Sequence, residues 1–324
     1  MTQPITRRFR ALLAGAAAAA LALGACSNDT TATQTEAEAP QTTVASDATF
    51  PVDVSTGGPD STTTITIEAL PEAIISLSPT ATETLFAIGA GDQVIAVDDN
   101  SNYPEEAPTT DLSGFEPNVE AILGYGPDLV VSATDNPDMI GALEQAGVPT
   151  LVLPSAVDLD DAYDQMARLG LATGHITEST DLVETMQAEI GSIVAEAPEL
   201  TGTTYFHELD PTLYTVTGST FIGQVYSLFG LESIAEDGTD AYPQLSEEYV
   251  VDADPNLIFL ADTQCCQVTS AVIAERAGWE NLTAVTGGNV VELDADISSR
   301  WGPRVVDFVE TIGEQVTELD SGDE

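Results

Sequence analysis

From residue 73 onward, short apolar runs alternate with stretches whose apolar residues recur every three or four positions. Residues 73–77 form the first run and predict a strand. It meets Ser78-Pro79, where serine suits a helix cap and proline the first helical position. Leu85, Phe86 and Ile88 continue that helix, and Gly89 fits its end. Residues 94–97 predict the next strand, running into Asp98-Asp99, and residues 128–132 and 150–153 predict two more. In the second half, residues 213–216 predict a strand, 218–220 a turn, and 221–229 a helix closed by Gly230. Between the halves Leu182, Val183, Met186, Ile190, Ile193, Val194 and Ala197 share one helical face, and Pro198 stops it. Roughly 17 residues at that pitch reach ~25 Å, enough to cross from one lobe to another. Strands alternating with helices make this an α/β chain.

The halves share a unit. Asn118-Val119-Glu120 leads to Pro127-Asp128 and an apolar run, and Ser246-Glu247-Glu248 leads to Pro255-Asn256 and another. Each glutamate sits two places after a good helix cap and at the same distance from its proline. Two related lobes are the economical reading: 65–175 and 199–320, with 176–198 as the helix between them.

Ahead of the lobes lies a different kind of sequence. Arg7, Arg8 and Arg10 precede an apolar run over 11–25 that is short for a membrane span and reads as a signal peptide. It closes with Leu23-Gly24-Ala25-Cys26, which resembles the bacterial lipobox and marks Cys26 for lipid attachment. Residues 27–64, rich in Thr, Ala, Asp and Ser, lack clustered large apolar residues and are expected to be a disordered tether. The chain is thus expected outside the cytoplasm, anchored to the cell membrane by that lipid.

Charge narrows the partners. The chain has 7 basic residues, all arginine, against 54 acidic ones, for a net charge of -47. Beyond the signal segment only Arg168, Arg276, Arg300 and Arg304 remain. Nothing here neutralises a phosphate backbone, so nucleic acid is excluded as a partner. The two histidines, His175 and His207, are too few for a metal receptor's ligand cluster. No Gly-x-Ser-x-Gly elbow, His-Glu-x-x-His motif or phosphate-cradling glycine loop occurs, so no enzyme activity is expected and no catalytic cofactor. Cys265 and Cys266 are adjacent; in an exported chain they either oxidise to each other or stay as two packed thiols.

Residues 76–83 (Ser-Leu-Ser-Pro-Thr-Ala-Thr-Glu) followed by 86–91 (Phe-Ala-Ile-Gly-Ala-Gly) resemble the opening of the cobalamin and ferric-siderophore binding proteins of ABC importers. Residues 97–104, 242–248 and 299–304 resemble later landmarks of the same family, in the same order. The resemblance covers about 72–309 and is strongest to cobalamin-binding members. It implies two Rossmann-like lobes joined by one long helix, with a ligand cleft between them. It also implies a monomeric receptor that delivers a small molecule to a dimeric permease and its ATPase, docking through one acidic residue per lobe. By motif those are Glu120 and Glu248. Either also suits a helix N-terminus simply by complementing the helix dipole.

The candidate ligand contacts are Ser78, Asn100, Tyr103 and Phe115 from the first lobe, and His207, Tyr242, Asp296, Arg300 and Trp301 from the second. Phe115 sits beside an aromatic position of the cobalamin binders, and Asn100 stands where they carry a tyrosine. Asp296 and Arg300 match their polar anchors, with the alternative that the two only pair and fix their loop. Tyr103 stacks on ligand or packs its turn, and His207 reaches the cleft or stays in the core. Anionic ferric chelates need several cations, and Arg300 is the one candidate, so a corrinoid is the first expectation. A ferric siderophore or haem is the alternative, and a ligand-free envelope protein that binds partners stands behind both.

Overall fold

The computed structural model describes residues 48–59, 61–235 and 240–322. The signal segment, Cys26 and most of the expected tether therefore lie outside the described residues. The apolar runs form strands as their lengths suggest. Ile74–Leu77 (β3), Val94–Asp98 (β4), Thr109–Leu112 (β5), Leu129–Ser132 (β6) and Thr150–Val152 (β7) make one parallel sheet in the order β5-β4-β3-β6-β7. Thr204–Glu208 (β8), Glu232–Ser233 (β9), Leu257–Leu260 (β10) and Val290–Glu292 (β11) make a second, ordered β11-β10-β8-β9. Every residue of β3, β6 and β10 is buried, as expected of parallel strands covered on both faces.

The repeated Pro-Asp and Pro-Asn steps have a structural job. Asp128 accepts hydrogen bonds from the backbone N–H groups of Glu72 and Ala73 at 2.8 and 3.0 Å, just before β3. Asn256 accepts one from Thr204 N at 2.9 Å, at the start of β8. In each half the residue after the proline thus aligns the entry of the next central strand.

Two expectations need correction. Val52–Thr56 (β1), inside the stretch expected to be a disordered tether, pairs antiparallel with Thr63–Ile67 (β2), which begins at that stretch's end and runs into the first lobe. Val54 and Ile67 are buried in the same cluster as Ile74 and Leu85, so a sparse period-two pattern in a Thr-rich stretch suffices for a hairpin. Residues 213–216 do not form a strand. Leu213 has φ 67°, and the segment makes one bridge, Tyr214 to Gln244. Asp210 Oδ1 holds a turn by accepting from Thr212 N at 2.6 Å, and Pro243 opposite has no N–H with which to extend a ladder.

The periodic stretch between the halves is the helix Ile176–Glu196, 21 residues and so about 31 Å long. It begins at the expected position and follows closely on the helix Leu159–Thr173, across Gly174 at φ 77°. Gly170 lies against Ser179, where any Cβ would collide, and this brings the two helices together. Met186 and Ile190 of the long helix share one cluster with Tyr163 and Met166 on one side and Phe229, Ile312 and Val316 on the other. Both sheets lie in one compact unit, Ala45–Glu324.

Candidate functional site

In a doubly wound sheet, ligands sit beyond the carboxyl ends of the strands where the order reverses. Here that place lies beyond β3 and β6. A cavity of about 390 Å³ opens there, lined by Leu77 and Ser78 at the end of β3, Ala133 and Thr134 after β6, and Arg300 and Trp301 from the other lobe.

The first-lobe wall is fixed by a chain of buried hydroxyls. Ser78 caps the helix Pro79–Ala87, accepting from Ala81 N at 3.3 Å. Thr82 donates to Ser76 Oγ at 2.9 Å and lies 2.9 Å from Ser101 Oγ. Ser101 in turn donates to Asp98 Oδ1 at 2.5 Å. Burial pushes the Asp98 carboxyl above the usual range against the lowering effect of that bond. The loop after β5 then crosses the end of β3 at Gly114. A Cβ there would lie 2.6 Å from Leu77 O and 2.8 Å from Asp98 Oδ2. Only glycine fits, and the next residue, Phe115, stands at the rim 81 % exposed.

The opposite wall comes from the helix Ala295–Ser299 and the turn after it. Arg300 Nη1 donates to Glu83 Oε1 at 2.8 Å and Asn102 Oδ1 at 3.0 Å. Its Nη2 reaches Asp296 Oδ1 at 2.7 Å and Asn100 O at 3.2 Å. Asn102 Nδ2 donates to the other Asp296 oxygen at 2.7 Å. Arg304 holds the same Glu83 through Nε at 2.9 Å and Nη2 at 2.6 Å, and those bonds raise its already high pKa. Trp301 Nε1 donates to Gln165 Oε1 at 2.9 Å. Glu83, whose side chain is 1 % exposed, is thus the buried centre of a polar seam between the two lobes.

Of the candidate contacts, Ser78, Asn100, Phe115, Asp296, Arg300 and Trp301 line this cavity. Three others do not. Tyr103 lies under the Arg304 guanidinium, 4.2 Å from ring centroid to Cζ, and lines a separate groove with Glu83 and Met186. The neighbouring Pro104 and the cation turn it away from the cleft. His207 is fully buried in β8, its Nδ1 2.8 Å from the Tyr226 hydroxyl, and burial lowers its pKa to about 3. The strand carries on to Glu208, so His207 is not its exposed end. Tyr242 is half-exposed on the loop that pairs with residues 213–217, away from the cavity lining. Arg300 makes the pair with Asp296 that was the alternative stated for it. It lines the cavity, yet all four of its Nη hydrogens are already taken by protein oxygens, two of them on carboxylates.

Glu120 and Glu248 are exposed in the first turns of the helices Val119–Gly124 and Glu247–Ala253, each capped at the residue two places before the glutamate. Cys265 and Cys266 are joined as a disulfide on the surface. His175 is buried at the start of the long helix, its Nδ1 3.0 Å from Thr173 O. A second buried ionic centre was not legible in the sequence: Glu208 takes both Nη groups of Arg276 at 2.6 Å. Asp262 lies beside it, raised to about 7 by burial and by the Glu208 charge. Gln165 was equally silent, and Glu83 stood out only as the last residue of the 76–83 motif, because a polar residue inside a helix looks the same whether it faces water or a partner.

The model of a family described as periplasmic binding protein matches residues 74–297. The ABC transporter substrate-binding lipoprotein YvrC of Bacillus subtilis is 30% identical over 308 residues, covering 92% of this chain and 94% of that one. A cobalamin-binding protein of Halobacterium salinarum is 30% identical over 259 residues, 76% of this chain and 70% of its own. Among solved structures, the periplasmic vitamin B12 binding protein BtuF of Vibrio cholerae superposes with a TM-score of 0.65 at 27% identity, over 77% of this chain and 98% of that one.

Proposed function

This chain belongs to the periplasmic binding protein family, and we propose that it is the lipid-anchored receptor of an ABC importer for a corrinoid. A substrate-binding protein of such an importer holds its cargo between two lobes and releases it to the permease. The observation that carries the choice of cargo is the make-up of the cavity wall. Phe115 and Trp301 offer flat apolar faces, while Ser78, Asn100, Thr134 and Ser155 offer neutral hydrogen-bonding groups. A large ring fringed with amides asks for that combination. Among the described lining residues none is His, Tyr, Cys or Met, the side chains that would hold haem iron. Relatives whose names describe cobalamin or vitamin B12 binding support the same reading.

Glu120 and Glu248, one per lobe, exposed at matching places, are the proposed docking residues for arginines of the permease. Cys26 is the proposed lipid site, in keeping with the lipoprotein name of the Bacillus relative. The long helix and the Glu83 seam favour modest closure on binding over a wide clamshell. Titration of the chain truncated after Cys26 with cyanocobalamin, haem and ferric siderophores, followed by tryptophan fluorescence, tests the cargo. Saturable quenching by cyanocobalamin alone is expected. Quenching by haem or a ferric siderophore instead would replace the corrinoid, and silence to all three would remove the small-molecule reading.

A further inference from the structure

We infer that Glu83 and Asp296, gripping Arg300 from two sides, set the charge selectivity of the cavity by denying it a free cation. The inference rests on the reading that ligand occupies this cavity. Arg300 is the one cation among the described lining residues, where the carboxylates of Asp98 and Asp296 also stand. Glu83 is not part of that lining. It takes Arg300 at 2.8 Å from behind, and Asp296 takes it at 2.7 Å from the side. A ligand carboxylate or catecholate reaching for the Nη groups of Arg300 would have to displace one of these bonds, and would approach against Asp98 and Asp296. Neutral and cationic ligands meet no such barrier. A cleft framed by like charge and low-dielectric walls keeps that preference at range.

The other arginines of the described residues are committed as well. Arg168 pairs with Asp164, Arg276 with Glu208, and Arg304 with Glu83 itself. No spare cation stands ready to offset the carboxylates. Glu83→Gln keeps the size and one acceptor oxygen while removing one negative charge. It would leave Arg300 with a surplus positive charge facing the cavity.

The two tryptophans of the chain make this measurable without any cognate ligand. Trp279 is fully buried, whereas Trp301 is partly exposed on the cavity wall. In the full chain at low salt, iodide and acrylamide quenching are compared for the wild type, Glu83→Gln, Glu83→Asp and Asp296→Asn. The ratio of iodide to acrylamide quenching is expected to rise about twofold in Glu83→Gln and in Asp296→Asn, and to fall back with added salt. Glu83→Asp, which keeps the charge, should match the wild type. In parallel, the affinity of Glu83→Gln for a trianionic ferric tris-catecholate, relative to cyanocobalamin, should rise about tenfold.

An unchanged iodide ratio in both neutralised variants overturns the inference, and so does an equal rise in Glu83→Asp, which would mean loosening and not charge. Asp296 is part-exposed, so Asp296→Asn decides the matter if Glu83→Gln does not fold. If the wild type binds neither chelate nor corrinoid, the corrinoid reading fails while the iodide result still judges the charge.

Discussion

The carboxylate of Glu83 accepts the Nε and Nη2 hydrogens of Arg304 at 2.9 and 2.6 Å, across 221 positions of sequence. With Arg300 bound to the same carboxylate, one buried anion fastens the second lobe to the first at the floor of the cleft. Removing an anion from such a site leaves two guanidinium groups without their partner, which costs about 3–5 kcal/mol. Glu83→Ala is therefore expected to lower unfolding stability by about 3 kcal/mol, measured by urea denaturation. A loss below about 1 kcal/mol, the range of a surface pair, would mean that the seam is not holding the lobes.

At the rim, Gly114 decides where Phe115 stands. A Cβ at that position meets Leu77 O at 2.6 Å and Asp98 Oδ2 at 2.8 Å, and neither the strand end nor the buried carboxyl can retreat. Gly114→Ala should destabilise the fold by about 1–3 kcal/mol and weaken ligand binding by more than tenfold, as read by thermal unfolding and calorimetric titration. Wild-type affinity in that variant would show that the position of Phe115 is irrelevant to the cargo.

Asp262 gives the second lobe a pH signature. Burial and the neighbouring Glu208 raise its carboxyl to about 7, whereas an unfolded aspartate titrates near 4. Between those values the folded chain keeps a proton that the unfolded chain has lost. This contribution to stability is complete below about pH 4 and is lost as the pH rises through about 7. Asp262→Asn removes the dependence. Denaturation at pH 8 should find the variant more stable by roughly 1–3 kcal/mol, with the two proteins converging near pH 4. Parallel stability curves would show that Asp262 is ionised at ordinary pH.

Reversal of both docking glutamates separates capture from delivery. Both lie on exposed first turns and neither lines the cavity. Glu120→Arg combined with Glu248→Arg should abolish uptake in cells while ligand affinity of the purified protein stays within about twofold. Transport that survives the double reversal would clear both residues of a docking role.

Much of the frame was legible in the sequence because it rests on local pattern. Buried strands such as Ile74–Leu77 and Leu257–Leu260 are continuous apolar runs. The paired Asp128 and Asn256 mark the lobes as related because each aligns a strand entry. The cavity was half legible. Phe115, Asp296, Arg300 and Trp301, singled out in the sequence, line it, but the bonds of Arg300 and Trp301 were hidden because partners such as Glu83 and Gln165 lie more than a hundred positions away. His207 and Tyr103 took the non-ligand alternative for different reasons. A strand buried on both faces has no ligand side for His207, and a cation nearby captured the ring of Tyr103. The hairpin of Val52–Thr56 with Thr63–Ile67 escaped because only two buried apolar residues, Val54 and Ile67, sit among its threonines.

The proposed corrinoid lodges in the cavity between the lobes, against Phe115. Calorimetric titration of cyanocobalamin into the wild type and Phe115→Ala tests this most directly. One site per chain, weakened about tenfold or more in the variant at unchanged melting temperature, is the result expected of a lost aromatic contact. Equal affinity in the two proteins, or no heat of binding in either, would contradict it.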